Sequence, residues 1–315
     1  MTGLKVLAAC GLDAVFGDPR YLPHPVRVMG LAIGWYERMV LKYLSGTVSH
    51  LVAGVILAMG LPVLCFFGTQ WIIGQAQDIN VYVGHAVWIL LGYTALAARD
   101  LADHAMRVYR ALESGSLVEA RQAVSLIVGR DTATLSEPEV VRATIETVAE
   151  SSSDGVIAPL LYLALGGPPL ALAYKAVNTL DSMIGHRTAP YRHFGWASAR
   201  LDDLMNWVPA RLSGLCIVLA AGIRLGTLNS AWKAFLRDGR KHLSPNSGWP
   251  EAAMAGALQV QVGGLNIYTG TPVERPKLGD PIKALHPSLI PMAVQVMAVA
   301  SGVMLVILLL MMWEW

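Results

Sequence analysis

Residues Leu289–Trp313 read LIPMAVQVMAVASGVMLVILLLMMW, an apolar run that contains no charged side chain. A helix needs about 20 apolar residues to cross the hydrocarbon core of a bilayer, so this run is long enough to span one. Trp313 and Trp315 close the run, and tryptophan is typical of the interface between lipid and water. The run therefore predicts a membrane-spanning helix and an integral membrane protein.

The composition of the whole chain agrees with this prediction. Of 315 residues, 54% are apolar and 15% are charged, and the mean hydropathy is +0.48. Soluble domains carry roughly a quarter charged residues, so the composition argues against an ordinary soluble enzyme and excludes a disordered chain. The net charge of +2 gives no reason to expect a nucleic acid as partner. Cys10, Cys65 and Cys216 lack metal-ligand spacing, which predicts packing residues.

Four further stretches are candidates for membrane segments. Long charge-free runs predict full spans at about residues 48–74 and 81–98. The stretch at 156–177 is interrupted by Gly166-Gly167-Pro168-Pro169, a turn signal that predicts a re-entrant hairpin of two half-length helices. The stretch at 207–225 is uncharged over only about 12 residues, and roughly 18 Å of helix is too short for the core.

Together with 289–313, these segments define the expected fold class. It is an all-α polytopic integral membrane protein with about three to five membrane segments and long helical loops. Because no repeat, low-complexity tract or flexible linker divides the chain, we expect a single membrane-embedded domain over residues 1–315. The stretch Leu4–Phe16 lacks a strongly basic start and an obvious cleavage site, so it is not interpreted as a removable signal peptide.

The charged residues are concentrated in four long loops, and Lys- and Arg-rich loops are typically cytoplasmic. If the two shorter segments do not cross the membrane, all four loops meet on one cytoplasmic surface, with the C-terminus outside. These loops are 17–47, 99–154, 178–206 and 226–287.

The loop at 178–206 is the first candidate for chemistry. Asp202 and Asn206 are spaced i,i+4, which places a carboxylate and an amide oxygen on one helical face, a half-site suited to Mg²⁺. Arg200 could hold a phosphate oxygen beside it. A purely structural interpretation is equally good. In it, Asp202 and Asp203 form an acidic pair at a helix start and offset the charges of Arg200 and Arg211 at the membrane edge.

A second candidate is a helical stripe of Arg142, Glu146, Glu150 and Asp154, each four residues from the last. The spacing alone favours a surface ion pair between Arg142 and Glu146, worth under about 1 kcal/mol. The functional alternative places Glu150 and Asp154 against a ligand. Ser136 and Glu139 have the spacing of a capping box and predict the start of this helix.

Three other segments give weaker signals. Arg130 and Asp131 precede a helix start, which suits an anion site and a buried loop ion pair equally well. Three prolines around Asp18 and His24 predict a rigid path without regular helix, either at a site or at a plain elbow. The stretches 244–251 and 263–268 predict turns, in which Trp249 or Tyr268 could stack on a flat ligand. No phosphate-loop, dinucleotide-binding or zinc-helix motif occurs in the sequence.

Eight short blocks of the sequence carry a resemblance to a known family, namely Gly17-Asp18-Pro19, Pro23 to Arg27, Gly129-Arg130-Asp131-Thr132, Glu150 to Pro159, Tyr174 to Met183, Ala199 to Asp203, Ser244-Pro245-Asn246 and Trp249 to Met254. Taken together, these blocks resemble the CobD/CbiB family, the adenosylcobinamide-phosphate synthases (cobinamide synthases) of cobalamin biosynthesis. The resemblance covers nearly the whole chain in order, and multi-residue blocks at this density are highly specific. Ser151 and Leu265 depart from the asparagine and proline expected there.

The resemblance implies a membrane-bound ligase that forms an amide. It joins (R)-1-amino-2-propanol, or its O-phosphate, to the propionate carboxylate of adenosylcobyric acid, and gives adenosylcobinamide or its phosphate. ATP and Mg²⁺ are the implied cofactors, and the corrinoid is a substrate. The implied location is the inner cell membrane, with active-site loops in the cytoplasm. Membrane lipid and other cobalamin-biosynthesis enzymes are the implied partners.

The mechanism expected for such a ligase assigns roles to the polar residues above. Glu150, Asp154 or His186 would be the catalytic base for the incoming ammonium. Asp181, Asp202 and Asp203 would hold Mg²⁺. The substrate and phosphate contacts are expected from Asp18, His24, Arg27, Arg130, Asp131, Lys175, Asn178, Arg187, Arg200, Asn206, Asn246, Trp249 and Tyr268.

Two other classes of function fit parts of the sequence. A Mg²⁺-dependent membrane phosphotransferase would need several aspartates at fourfold spacing, and only Asp202 and Asp203 are close together. A non-enzymatic membrane scaffold or sensor of the same superfamily would not need costly polar groups at the edge of the bilayer. A transporter is disfavoured because the polar residues lie in loops.

Overall fold

In the computed structural model, the described residues are 2–18, 24–186, 191–268 and 270–313, and most of them are helical. A π-helical segment, Ser152–Ile157, lies between α7 and α8. The helices and strands in chain order are α1 Thr2–Phe16, α2 Pro25–Tyr43, α3 Thr47–Ile79, α4 Val81–Tyr93, α5 Ala98–Glu113, α6 Leu117–Ser125, α7 Glu137–Ser151, α8 Ala158–Ile184, α9 Tyr191–Phe194, α10 Trp196–Met205, α11 Trp207–Leu225, α12 Leu228–Asp238, α13 Gly248–Leu258, β1 Val262–Tyr268, β2 Thr271–Leu278 and α14 Leu289–Trp313.

In the described part of the chain, five helical stretches are long and apolar enough to cross a membrane, and all five segments expected from the sequence lie within them. Two of these stretches join neighbouring helices, α4 with α5 and α7 with α8. The all-α polytopic class is therefore confirmed, and the chain is a multi-pass membrane protein. The five are Thr47–Ile79, Val81–Glu113, Glu137–Ile184, Trp207–Leu225 and Leu289–Trp313.

The segment at Trp207–Leu225 is longer than its uncharged stretch indicates. Its helix has 19 residues and includes Arg211 and Arg224 near its two ends. At 1.5 Å per residue such a helix reaches about 28 Å, close to the thickness of the hydrocarbon core. Because long arginine side chains can extend their charge to the interface, counting only uncharged residues underestimates the segment.

The Gly166-Gly167-Pro168-Pro169 run breaks α8, as the sequence predicts. Gly166 has φ −142° and ψ 16°, and Gly167 has φ 68° and ψ −168°, neither of which is helical. A positive φ of this kind is open to glycine at little cost. The break is confirmed, whereas a re-entrant path through the membrane stays a prediction.

The chain divides into two compact units. The first consists of Met1–Ala97, Pro159–Asn206 and Leu308–Trp315, and the second of Ala98–Ala158 and Trp207–Ile307. The expectation of one catalytic domain over the whole chain stays a prediction.

In the first unit, α3 packs closely against α9 and α10. Gly54 in α3 faces the backbone of Phe194, and a Cβ atom at Gly54 would overlap the Phe194 carbonyl oxygen. The Phe194 ring is fully buried and stacks on Tyr36 with 6.4 Å between ring centroids. Glycine at position 54 is thus required by the approach of two backbones.

Helix α2 begins at Pro25, with His24 as its N-cap residue. The expectation that the prolines exclude regular helix here is wrong for Pro25. The first helical position needs no amide hydrogen, and the fixed φ of proline suits it. Pro19 and Pro23 lie outside the described residues.

In the second unit, α13 is the central helix, and every residue of Gly248–Leu258 is buried. Its small residues let α11 and α12 approach closely, and a Cβ at Gly256 would lie 2.5 Å from the Ser230 carbonyl oxygen. Helix α7 begins with the predicted capping box, in which the Ser136 amide donates to Glu139 Oε2 at 2.8 Å.

Strands β1 and β2 form a small antiparallel hairpin that the sequence did not reveal. The pairing runs from Val262 opposite Leu278 to Tyr268 opposite Thr271, with a bulge between Val262 and Gly264. The sequence analysis predicted turns at 263–268 from the mixture of glycine, asparagine and aromatic residues, and this is wrong for a stretch that forms a strand. Two consecutive glycines normally weaken a strand, but here they provide the bulge, where Gly263 has φ 85° and Gly264 has φ 87°.

The contact at Gly54 can be tested by substitution. We expect Gly54→Ala to destabilise the protein by about 1–3 kcal/mol, because the added methyl group must push two backbones apart. Gly60→Ala in the same helix is the matched control, since a Cβ there meets nothing within 4 Å. Thermal unfolding in detergent measures both. Equal melting temperatures for the two variants would contradict the packing of α3 on α9.

Candidate functional site

In each unit, buried and half-buried polar side chains form a cluster that includes residues predicted from the sequence. The Asp202 cluster of the first unit consists of Tyr174, Asn178, Asp181, Asp202 and Asn206. The glutamate cluster of the second unit consists of Arg130, Glu146, Glu150, His242 and Glu251. Burying a charged group is costly unless it is paired or hydrogen-bonded, so such clusters in an apolar chain need a reason.

In the Asp202 cluster, the end of α10 faces polar side chains of α8. Asp202 is buried, and its Oδ1 atom has no hydrogen-bond partner among the described residues. Asn206 ends the helix, and its side-chain oxygen accepts a hydrogen bond from the Tyr174 hydroxyl at 2.7 Å. The predicted adjacency of Asp202 and Asn206 is confirmed, since the Asn206 amide also donates to the Asp202 carbonyl at 2.9 Å.

Burial raises the pKa of Asp202 to about 7, and the charge of Asp181 adds to this rise. The side-chain amides of Asn206 and Asn178 act in the opposite direction, and Asp203 again raises the pKa. Asp202 is therefore close to half-protonated near neutral pH. A nearby positive charge would favour its ionised form.

The donor set of this cluster fits a hard divalent cation such as Mg²⁺, which prefers oxygen ligands. The unpartnered Oδ1 of Asp202, the neighbouring Asp181 carboxylate and the Asn178 amide are the groups that would hold it. Within the described ranges, no three His, Cys, Asp or Glu side chains group as a metal site, so amide or water oxygens would complete the set.

Asp203 has surroundings different from those of Asp202. Its Oδ2 lies 3.3 Å from Nη1 of Arg200, whose side chain is 62% exposed. Adjacent side chains on a helix point in different directions, which agrees with the different surroundings of Asp202 and Asp203. The Asp203 carboxylate and the Arg200 guanidinium form one surface ion pair. The metal role predicted for Asp203 and the phosphate role predicted for Arg200 stay predictions.

The structure places the other predicted residues of the first unit as follows, and their binding roles stay predictions. The His24 ring lies with Nε2 3.1 Å from Asp18 Oδ1, and Arg27 is exposed on α2. Lys175 is half-buried on α8, and the exposed His186 faces the Tyr191 ring at 5.7 Å between centroids. Arg187 lies outside the described residues.

In the glutamate cluster, a buried ion pair joins Arg130 to Glu146. Glu146 also accepts the Gly263 amide hydrogen at 2.8 Å, and Arg130 also donates to the Asn266 side chain. Arg142 Nε lies 4.0 Å from Glu146, and Arg142 donates to the carbonyl oxygen of Leu265 at 2.9 Å. The favoured interpretation of Arg142 and Glu146 as a surface pair is therefore wrong, because the hairpin and the loop around Arg130 cover Glu146.

The rest of this cluster connects α7 with α13. The Ser247 hydroxyl donates to Glu150 Oε1 at 2.9 Å. Glu251 is 2% exposed, and burial raises its pKa well above the ordinary value, with the charges of Glu150 and Glu146 adding to the rise. Burial likewise lowers the pKa of His242, and the charge of Arg275 adds to that shift.

Two predicted binding residues of the second unit have hydrogen-bond partners within the protein, and their binding roles stay predictions. Asp131 Oδ2 accepts the Gly270 amide hydrogen at 2.8 Å, and the Asp131 amide donates to Ile267 at 2.8 Å, so this residue supports the hairpin. Trp249 is buried, and its Nε1 donates to the Pro245 carbonyl at 3.2 Å.

Asn246, Tyr268 and Asp154 are the remaining predicted residues of the second unit. Asn246 is buried with Oδ1 3.5 Å from Arg211, and the guanidinium of Arg275 lies 5.5 Å from the ring centroid of Tyr268. Asp154 is half-buried in the π-helical segment. Binding roles for these side chains stay predictions.

The sequence interpretation assigned no functional role to Glu146, His242, Glu251 or Asn266. Glu251 follows the Trp249-Pro250 pair, a block already noted, and an acidic side chain among apolar ones was the available signal. His242 is a lone histidine with no motif around it. Glu146 was in view but could not be paired with Arg130 from spacing alone.

The fold and the two clusters define a class: a multi-pass membrane protein that buries carboxylates beside arginine, asparagine and histidine. A family model described as CobD/Cbib protein matches residues 6–297. The chain belongs to the CobD/CbiB family, as the sequence resemblance implies.

Several curated relatives extend over almost the whole chain. "Cobalamin biosynthesis protein CobD" of Geobacter metallireducens is 54% identical over 284 residues, which cover 90% of this chain and 88% of the relative. The protein of the same name from Photorhabdus laumondii is 43% identical and covers 99% and 98%. "Cobalamin biosynthesis protein CbiB" of Salmonella typhimurium is 43% identical and covers 98% and 97%. No solved structure matches the chain.

The buried ion pair of the glutamate cluster gives a stability prediction. We expect Arg130→Ala to cost about 3–5 kcal/mol, because it leaves the buried Glu146 carboxylate without its cation. Arg200→Ala removes a pair with an exposed arginine and should cost under about 1 kcal/mol. Denaturant unfolding in detergent compares them. A loss at Arg130 no larger than that at Arg200 would show that the pair is not buried in solution.

Asp202 gives a prediction about pH. Its pKa is raised from 3.8 to about 7 on folding, so its contribution to stability is complete below pH 3.8 and is lost as the pH rises through 7. With a chelator present, we expect the melting temperature of the wild type to fall relative to that of Asp202→Asn between about pH 5 and pH 8. Parallel curves for the two proteins would contradict the buried position of this carboxyl group.

Proposed function

We propose that the protein is an ATP-dependent amide ligase of cobalamin biosynthesis. In this proposal it joins (R)-1-amino-2-propanol, or its O-phosphate, to the propionate carboxylate of adenosylcobyric acid. Membership of the CobD/CbiB family supports the pathway, since the relatives are named as cobalamin biosynthesis proteins. The observation that supports the chemistry is the glutamate cluster, in which Glu146 is paired with Arg130 whereas Glu150 accepts a hydrogen bond from Ser247.

The glutamate cluster supports proton transfer from an amine. Only a free amine is nucleophilic, so an ammonium substrate must lose a proton before it attacks a carbonyl carbon. Glu150 is half-buried, accepts one hydrogen bond from Ser247, and has no ion pair with arginine or lysine in the described part of the chain. In contrast, Glu146 is occupied by Arg130. We therefore assign the base to Glu150, one of three candidates from the sequence.

The Asp202 cluster supports the binding of a phosphate-bound cation. Asp202, Asp181 and Asn178 would hold Mg²⁺, which supplies positive charge to the phosphate oxygens of ATP when bound. The unpartnered Oδ1 of Asp202 and its raised pKa are both consistent with a place kept for a cation. Arginine residues predicted to contact phosphate would add charge-assisted hydrogen bonds.

The proposed reaction has two steps. A carboxylate oxygen of the corrinoid attacks the terminal phosphorus of ATP, the bond to the bridging oxygen breaks, and ADP leaves. The amine nitrogen then attacks the carbonyl carbon of the acyl phosphate, the carbon–oxygen bond to phosphate breaks, and an amide forms. Glu150 takes one proton from the ammonium before the attack. Inorganic phosphate leaves with the electron pair of the broken bond and carries away the second proton that the nitrogen loses.

A membrane location suits these substrates. The corrin is large and partly hydrophobic, so an apolar scaffold can cover part of it. We place the protein in the inner cell membrane with its charged loops in the cytoplasm, where ATP is present. Other cobalamin-biosynthesis enzymes would supply and remove the corrinoid there.

The proposal predicts a specific product. Detergent-purified protein is incubated with adenosylcobyric acid, ATP, Mg²⁺ and either amine, and the corrinoid is analysed by mass spectrometry. We expect an amide product that requires ATP, and the preferred amine identifies the true substrate. A folded sample that binds the corrinoid but forms no product with either amine would favour the non-enzymatic scaffold.

The cation assignment predicts a graded loss among aspartate variants. We expect Asp202→Asn to lower kcat by about 10²–10³-fold, because the charge that holds the cation on the phosphates is lost. Asp203→Asn should lose less, since Asp203 pairs with Arg200. Asp103→Asn, in an exposed pair with Arg99, is the control. Full turnover in both the Asp202 and Asp203 variants would exclude these residues as cation ligands.

A further inference from the structure

Glu251 and His242 form a buried pair that has no role in the mechanism above. Their side chains are 2% and 6% exposed. His242 Nε2 and Glu251 Oε1 lie 3.8 Å apart, and neither atom has a hydrogen-bond partner among the described residues. Buried polar atoms are normally hydrogen-bonded. The missing hydrogen bond between these two atoms therefore depends on which of the two side chains carries a proton, and on which atom.

The proton position on His242 follows from its neighbour Ser244. The Ser244 amide donates to His242 Nδ1 at 3.0 Å, so Nδ1 carries a lone pair and the ring hydrogen sits on Nε2. An imidazolium would place a second hydrogen on Nδ1, against the amide hydrogen of Ser244. His242 is thus held neutral, and it cannot neutralise an ionised Glu251.

The other charged groups near Glu251 come from three further elements. Glu146 and Glu150 face it from α7, Arg130 from the loop before α7, and Arg275 from β2. Arg130 is already paired with Glu146, and no arginine or lysine makes an ion pair with Glu251 within the described ranges. A buried carboxyl group without a cation, beside two other carboxylates, takes up a proton.

Glu251 and the hydrogen-bond donor of Glu150 lie on one turn of α13. The Glu251 amide donates to the Ser247 carbonyl at 3.2 Å, and the Ser247 hydroxyl donates to Glu150. A change in the charge of Glu251 therefore acts directly on the surroundings of Glu150. When two titratable groups have surroundings that drive them apart, one serves as acid and the other as base.

We propose that Glu251 is a positioning residue whose carboxyl group carries a proton at neutral pH, so that no second negative charge opposes the placement of Glu150, the group that accepts the proton of the attacking amine. This inference rests on the proposed ligase function. Ionised Glu251 would put a second uncompensated negative charge beside Glu150 and would oppose the placement of that carboxylate. Activity should therefore decline at high pH as Glu251 loses its proton.

The first test compares kcat/KM across pH for Glu251→Ala and Glu251→Gln. We expect Glu251→Ala to lose about tenfold or more at neutral pH, and Glu251→Gln, which imitates the protonated acid, to restore most of that loss. The Gln variant should also lack the alkaline decline of the wild type. Glu150→Gln should lose about 10²–10⁴-fold at every pH, and the exposed Glu113→Gln is the control.

The second test does not depend on turnover. Because Asp202 also carries a proton near neutral pH, the infrared test is made in an Asp202→Asn background. There the carbonyl stretch of a protonated carboxyl group should be present at pH 7 and absent when Glu251→Gln is added, with Glu113→Gln leaving it unchanged. If no amide forms in the wild type, the ligase proposal fails while this band still reports the proton on Glu251. A Gln variant as inactive as Glu150→Gln, or an unchanged infrared band, would overturn the inference.

Discussion

The buried ion pair between Arg130 and Glu146 is the interaction on which the second unit's polar cluster depends. It joins the loop before α7 to α7 itself, and the Asn266 side chain and the Gly263 amide extend it to the hairpin. A carboxylate in such a place is tolerated only when a cation and further hydrogen bonds satisfy it. Because Arg130 pairs with Glu146, the other two carboxyl groups of the cluster, Glu150 and Glu251, have no ion pair with arginine or lysine among the described residues.

The same constraint governs the first unit in a different way. Among the described residues Asp202 has no ion pair with arginine, and burial raises its pKa to about 7. Its surroundings are the Asp181 carboxylate and the side-chain amides of Asn178 and Asn206, a polar set that suits a cation. In a chain with only 15% charged residues, Asp202, Glu146 and Glu251 are buried beside other polar side chains, where the proposed proton transfer and cation binding would use them. This distribution supports an enzyme over a passive scaffold.

Features set by neighbouring residues could be predicted from the sequence. The apolar runs gave the membrane helices, the Gly-Gly-Pro-Pro run gave the break in α8, and Ser136 with Glu139 gave the start of α7. The i,i+4 relation of Asp202 and Asn206 was also correct, because it depends on one helix only. Each of these is a local property of backbone geometry or hydropathy.

Features that join distant parts of the chain could not be predicted in this way. Gly263 lies 117 residues from Glu146, and no spacing rule connects them. The hairpin that buries Glu146 was not expected, so an arginine four residues away seemed its natural partner. The importance of Glu251 could not be predicted for a related reason. Its burial in α13 and the tautomer of His242 are both set by tertiary packing, which residue spacing does not reveal. Long-range burial, more than residue type, determined which carboxylates matter.

The most direct measurement follows oxygen atoms through the reaction. Adenosylcobyric acid labelled with ¹⁸O in its free carboxylate is converted with ATP, Mg²⁺ and the amine, and the products are analysed by mass spectrometry. If the carboxylate is phosphorylated and then attacked by the amine, one ¹⁸O appears in inorganic phosphate for each amide formed. Amide formation with no label in phosphate, or with the label in AMP, would contradict the acyl phosphate and the phosphoryl transfer proposed for this protein.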